Sequence, residues 1–187
     1  LVAAGKLPRE LALAGYIHSH YGLSASLATL ALLLPTGDAD SAVWGPLLAG
    51  AVAQTRPTTS DADLEALREL AASSANEVVL AAVRRAAPFG PRARDLRRAA
   101  LPRLLADPDL RFVMSALGIA MEHGIEPAGL PELLVRLRAS KEPGAAAVAD
   151  AAERRFTGTA ASTCDYVAKI VTGKIDVEVD ALRRSLG

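Results

Sequence analysis

The chain has 187 residues, 51% of them hydrophobic and only 4% aromatic, with 21 basic and 21 acidic side chains in formal balance. A chain of that length buries a core of its own, and an Ala- and Leu-rich, aromatic-poor composition suits closely packed helices. Zero net charge gives no general attraction to nucleic acid or membrane, and the single cysteine, Cys164, excludes an internal disulfide or a cysteine-based zinc cluster.

Punctuation by Pro, Gly and capping residues divides the chain into about nine helices. Leu7 to His20 and Leu23 to Leu34 read as two helices bent near Gly22. The second is the longest apolar run, interrupted by Ser24, Ser26 and Thr29 and closed by Pro35 and Gly37. It falls short of the roughly 20 apolar residues of a bilayer span. No basic segment precedes it, so no signal peptide is expected. Ser41 to Gln54 follows with Pro46 in its first turns, and Thr55 to Thr59 reads as an exposed linker. The next helix, from Ser60 or Asp61 to about Ala72, has an acidic first turn that suits the helix dipole. Ser74-Ala75-Asn76-Glu77 has the form of a capping box opening a helix to about Ala87.

Pro88-Phe89-Gly90-Pro91 breaks the chain. The helix beyond it, through Arg98 to Ala106, contains Pro102 and is expected to kink or split there. Asp107 to His123 is the sharpest prediction: Asp107 can cap, Pro108 suits the first position, and Gly124 can adopt the left-handed stop. Leu110, Val113, Met114, Leu117 and Met121 recur at helical spacing, with Phe112 and Ile119 on other sides. A helix apolar on most sides is a central one. Leu130 to Ala139 then forms a helical hairpin with it. Ser140 to Gly144 reads as a linker, and Ala145 to Phe156, Ser162 to Val171 and Val177 to Leu186 complete the series. Only Lys174 to Val179 comes near strand alternation. No repeat of fixed period is evident, which leaves a solenoid open but unsupported. The fold class is all-α: a compact bundle of about eight to ten helices in a single domain, 1–187, with 1–87 and 88–187 as potential looser halves.

Three sets of residues invite a chemical reading. Tyr16, His18, His20 and Tyr21 cluster, but histidines two apart lie on different sides of a helix and cannot share one metal there. His123 is the only other histidine. Cys164 has no base beside it in sequence to make a thiolate, which favours an inert small side chain. Asp61 with Asp63, and Asp176 with Glu178 and Asp180, stand at helix starts, where carboxylates are ordinarily solvated and stabilising rather than catalytic. With no phosphate loop or nucleophile elbow, no catalytic residue, cofactor or metal is assigned, and the chain is not expected to be an enzyme. Cysteine scarcity points to a reducing, cytoplasmic setting.

The charge is unevenly placed. Asp38 to Glu77 holds seven acids against Arg56 and Arg68, whereas Arg84 to Arg111 holds eight arginines against Asp95, Asp107 and Asp109. The two blocks either pair within the fold or face different partners. Arg84, Arg85, Arg92, Arg94, Arg97, Arg98 and Arg103 are the candidates for contact with nucleic-acid backbone, since guanidinium groups are bidentate donors to phosphate. Arg94, Arg97 and Arg98 are expected on one face, while Ala93, Leu96 and Ala100 form the apolar stripe. The alternatives are a solvated face and an assembly module in which the charged blocks dock to each other, to other subunits or to copies of the chain. A small-molecule-binding helical domain is the least supported class.

Leu104-Leu105-Ala106-Asp107, then Phe112 to Gly124, Ile125-Glu126-Pro127, Leu130 to Arg138 and the later Glu153-Arg154-Arg155-Phe156 resemble the helical core of the small subunit of bacterial CRISPR Cascade complexes. The likeness covers about 50 residues and consists mainly of helix-turn-helix punctuation. It implies a non-catalytic, all-helical subunit that lines a groove and holds nucleic-acid backbone through arginines.

Overall fold

The computed structural model describes residues 26–34 and 41–158. Within them the chain forms eight α-helices and no strand: α1 (Leu27–Leu32), α2 (Ser41–Gln54), α3 (Asp61–Ala71), α4 (Asn76–Arg85), α5 (Arg94–Leu105), α6 (Leu110–His123), α7 (Leu130–Arg138) and α8 (Ala145–Thr157). The expected all-α architecture is thus observed. A 3-10 segment, Ala87–Ala93, joins α4 to α5 and is broken at Gly90, whose φ of 53° is open to glycine at little cost. The predictions for Leu7 to His20 and for everything after Gly158 lie outside the described residues.

The helix ends follow local chemistry. Ser26 caps α1 through its hydroxyl, Ser60 caps α3, and Gly124 closes α6 at φ 61°. Three expectations need correction. The capping box is not at Ser74, because α4 starts from Ala75 with no side-chain cap. Its counterpart opens α3, where Ser60 Oγ accepts from Asp63 N (3.1 Å) and Asp63 Oδ2 accepts from Thr58 N (2.6 Å). The central helix begins at Leu110 rather than Asp107, with Asp109 as its cap, because the Asp107 carboxylate accepts from Asp109 N (2.7 Å) and turns the chain first. Finally, α5 runs through Pro102 without a break. That proline lies in the last turn, where it withholds a single bond, the one to the Arg98 carbonyl one turn earlier.

Order along the chain governs packing. Every substantial helix–helix contact joins elements one or two apart in sequence, α2 with α4 being the most extensive and α6 lying against α4, α5 and α8. Such contacts define a stack of helical hairpins, α1–α2, α3–α4, α5–α6 and α7–α8. The helix starts recur with a period of about 34 residues, the length of a helix–turn–helix repeat. The buried positions recur with them. Leu67, Leu101 and Leu134 are equivalent on α3, α5 and α7, as are Leu70, Leu104 and Leu137. Leu48, Ala82 and Ala116 match on α2, α4 and α6, as do Val52, Ala86 just past the end of α4, and Ala120. The period that is not evident in the sequence is present in the placement of helices and buried side chains. The repeat is carried by buried apolar positions whose residue types differ, not by a motif.

The core consists of two clusters. One extends from Leu27 and Trp44 through α3, α4 and α5 to Ala116, Ile119 and Ala120; the other joins Val113 and Leu117 to α7 and α8. Adjoining faces of α6 thus enter different clusters, which places it between them, as its apolar circumference predicts. Full burial of the leucines in these rows sets the cost of truncating any one to Ala at about 2–5 kcal/mol.

Candidate partner-binding face

The seven candidate arginines divide sharply once placed. Arg97 is the clearest correction. Instead of sharing a solvent face with Arg94 and Arg98, it is 2% exposed. Its Nη2 donates to Ala86 O (2.8 Å) and its Nη1 to Gly90 O (2.9 Å), fastening the end of α4 and the 3-10 turn to α5. Burial pushes the guanidinium pKa down, with Glu122 pulling the other way. Its Nε has no hydrogen-bond partner among the described residues. Arg103 donates to the carbonyls of Ser73 and Ser74, just past the end of α3. Arg92 pairs with Asp61, donates to Thr59 O (3.2 Å) and lies over the Phe89 ring. Arg84 donates to Ser115 Oγ (3.1 Å). Arg85, Arg94 and Arg98 make no hydrogen bond or ion pair with the described residues, and of these Arg94 and Arg98 are exposed, one turn apart on α5.

Two arginines outside the block complete a pattern. Arg136 of α7 donates to Asp107 O and Pro108 O, beyond the end of α5. Arg155 of α8 donates to Met121 O (3.1 Å), in the last turn of α6. The C-terminal ends of α3, α4, α5 and α6 are thus each held by an arginine from a later helix. Helix C-terminal carbonyls lack intrahelical partners and carry the negative end of the dipole, so a guanidinium there satisfies both hydrogen bonding and charge. A census of arginines along the sequence cannot separate this use from phosphate binding, because the carbonyl partners lie in other elements, 7 to 11 residues away for Arg97 and 28 to 34 for the others.

Between the arginine closures the face formed by α3, α5 and α7 carries two grooves. The larger, ≈ 590 Å³, lies between α5 and α7, with Leu101, Leu105, Ile125 and Leu133 among its apolar surfaces and Arg98 and Glu132 at its sides. The other, ≈ 450 Å³, occupies the corresponding place between α3 and α5, with Ala71, Ala72, Leu96 and Ala99 lining it beside Arg68 and Asp95. Arg103 and Arg136 stand at equivalent places in the two. A third cavity of ≈ 490 Å³ between α2 and α4 takes in Arg84, Arg85 and Phe112. Sequence reading missed the paired grooves, and the repeat of the apolar positions was the signal that could have found them.

The remaining candidates have local roles or lie outside the described residues. Asp61 is engaged by Arg92, and Asp63 by Thr58 and Ser60. Among the described residues no group of acids, histidines and cysteines is arranged to hold a metal ion. Tyr16, His18, His20, Tyr21 and Cys164 are outside the described residues. No described helix is long and apolar enough to cross a membrane. No family model matches the chain, and neither a characterised protein nor a solved structure matches it.

Proposed function

We propose that the chain is a non-enzymatic helical interaction module that receives a partner protein on the face formed by α3, α5 and α7. The observation that carries this reading is the pair of successive grooves at equivalent places in the repeat, each apolar inside and charged at its sides. Stacked hairpins present such extended surfaces and use them for recognition. Selection from a displayed random-peptide library tests it. Enriched peptides should bind the protein and lose affinity by about tenfold or more against Ala99→Glu and Ala106→Glu, which place a charge in either groove at exposed positions. Failure to enrich, or enriched peptides indifferent to both substitutions, would sink the reading.

A second reading is contact with nucleic-acid backbone, as a subunit of a larger complex. It is favoured by one observation, the exposed Arg94 and Arg98 one turn apart without partners among the described residues. Arg97 and Arg103, committed to backbone carbonyls, drop out of that surface. Anisotropy titrations of labelled single- and double-stranded DNA and RNA at two salt concentrations decide it. Salt-sensitive binding that the Arg94→Ala, Arg98→Ala double variant loses supports this reading, and absence of binding at low salt removes it.

A further inference from the structure

We infer that the groove between α5 and α7 receives an amphipathic α-helix whose apolar stripe is flanked by carboxylates on one edge and by lysine or arginine on the other; this rests on the interaction reading above. The form of the occupant follows from what the groove offers. An extended peptide gains affinity by pairing its main chain with a sheet edge, and a polyproline segment by stacking on aromatics. Neither is present in the groove lining, which consists of helices, one turn and no aromatic residue. A helix brings its backbone hydrogen bonds with it and needs only an apolar furrow for its side chains. The furrow is supplied by Leu101, Leu105, Ile125 and Leu133.

The flanking charges follow from the walls. Arg98 stands on the α5 side, and Glu126 and Glu132 on the side of the α6–α7 turn and α7. All three are exposed, and none has a hydrogen bond or ion pair with the described residues. Arg136, the other cation there, is engaged by the carbonyls of Asp107 and Pro108. The free charge is thus one cation facing two carboxylates, which repels a phosphate backbone and matches a helix of mixed flanks. In the α3–α5 groove the upstream cation, Arg68, is already paired with Glu65 (2.9 Å), which leaves Asp95 on the downstream wall, so the free polarity belongs to the α5–α7 groove. Because the two walls differ in sign, the groove also fixes which way the bound helix runs.

Three synthetic peptides of about 14 residues, four helical turns, test the inference. All carry a leucine stripe, flanked by Glu and Lys on opposite edges, by Lys on both, or by Glu on both. The mixed peptide should bind about tenfold tighter than either control, become helical on binding by circular dichroism, and weaken about as much against Arg98→Glu. The triple variant Arg98→Glu, Glu126→Lys, Glu132→Lys should recover binding, because the helix can enter in the opposite direction. Equal binding of all three peptides, or indifference to Arg98→Glu, overturns the inference. Library-selected peptides that occupy the groove yet stay non-helical overturn it too, and leave the interaction reading standing. If neither the designed nor the selected peptides bind, both fall.

Discussion

Arg136 stands to the end of α5 as Arg103 stands to the end of α3: each reaches back from the next hairpin to two successive carbonyls, Asp107 and Pro108 in one case, Ser73 and Ser74 in the other. Equivalent side chains closing equivalent gaps make the arginines part of the repeat itself. They couple neighbouring hairpins, and in a stacked array such nearest-neighbour terms add to the stability of each unit.

Replacing either arginine by methionine keeps much of the stem and removes the donors. Each change should lower stability by about 1–3 kcal/mol, since one part-buried and one exposed carbonyl lose charged hydrogen bonds. The lysine variants should recover only part of this, because one ammonium cannot match a forked guanidinium across two carbonyls. Urea denaturation of the four variants checks it. Losses under about 0.5 kcal/mol at both positions would show the closures to be incidental.

Arg97 is the stronger case because it is buried with two carbonyl partners and an unmatched Nε. Arg97→Met should cost about 3 kcal/mol, from two orphaned carbonyls set against relief of guanidinium desolvation. The release should be local as well as global. Amide exchange at Ala86 to Gly90, where the 3-10 segment depends on this side chain, should accelerate more than exchange in α2. A variant as stable as wild type, with unchanged exchange there, would contradict the role assigned to Arg97.

The contrast between Arg97 and Arg98 shows where sequence reading stops. Periodicity, caps and stops made most helices legible, because those signals are local: Ser60 before α3, Gly124 after α6, Pro91 ahead of α5. The destination of a long side chain is not local. Arg94, Arg97 and Arg98 look alike on a helical wheel, yet Arg97 turns inward because the carbonyls of Ala86 and Gly90 present themselves eleven and seven positions upstream. The repeat was hidden for a related reason. Leu48, Ala82 and Ala116 fill equivalent buried places with different volumes, so the period survives in burial and not in identity.

Glycines of α2 and α6 separate close approach from conformational need. A Cβ at Gly45 would stand 2.8 Å from the Ala75 Cβ, where α2 meets the start of α4. At Gly118 in α6 it meets none of the described residues within 4 Å. Gly45→Ala should therefore destabilise by about 1–3 kcal/mol through overpacking. Gly118→Ala should stabilise by about 0.5–1 kcal/mol through helix propensity. Gly124→Ala should cost about 1 kcal/mol, because φ is 61° at that helix stop. Thermal melts rank the three. A stable Gly45→Ala would mean that α2 and α4 have room to separate.

His123, in the last turn of α6, gives the fold a pH dependence of known sign. Burial lowers its pKa below the ordinary 6.5, Arg97 lowers it further, and Glu122 opposes both. Well above the ordinary 6.5 the imidazole is uncharged in both the folded and unfolded chain and contributes no pH dependence. As the pH falls from the ordinary 6.5 through the depressed folded value, the unfolded chain takes up the proton more readily. Stability contributed by the neutral ring is lost across that window and does not fall further below it. His123→Gln removes the proton uptake while keeping a polar side chain of similar reach. Melting temperatures measured from about pH 7.5 to about pH 5 should fall more for wild type than for this variant. Parallel curves would show that His123 titrates normally. Arg97→Met should flatten the wild-type curve in part, because it removes the nearby positive charge that disfavours the imidazolium.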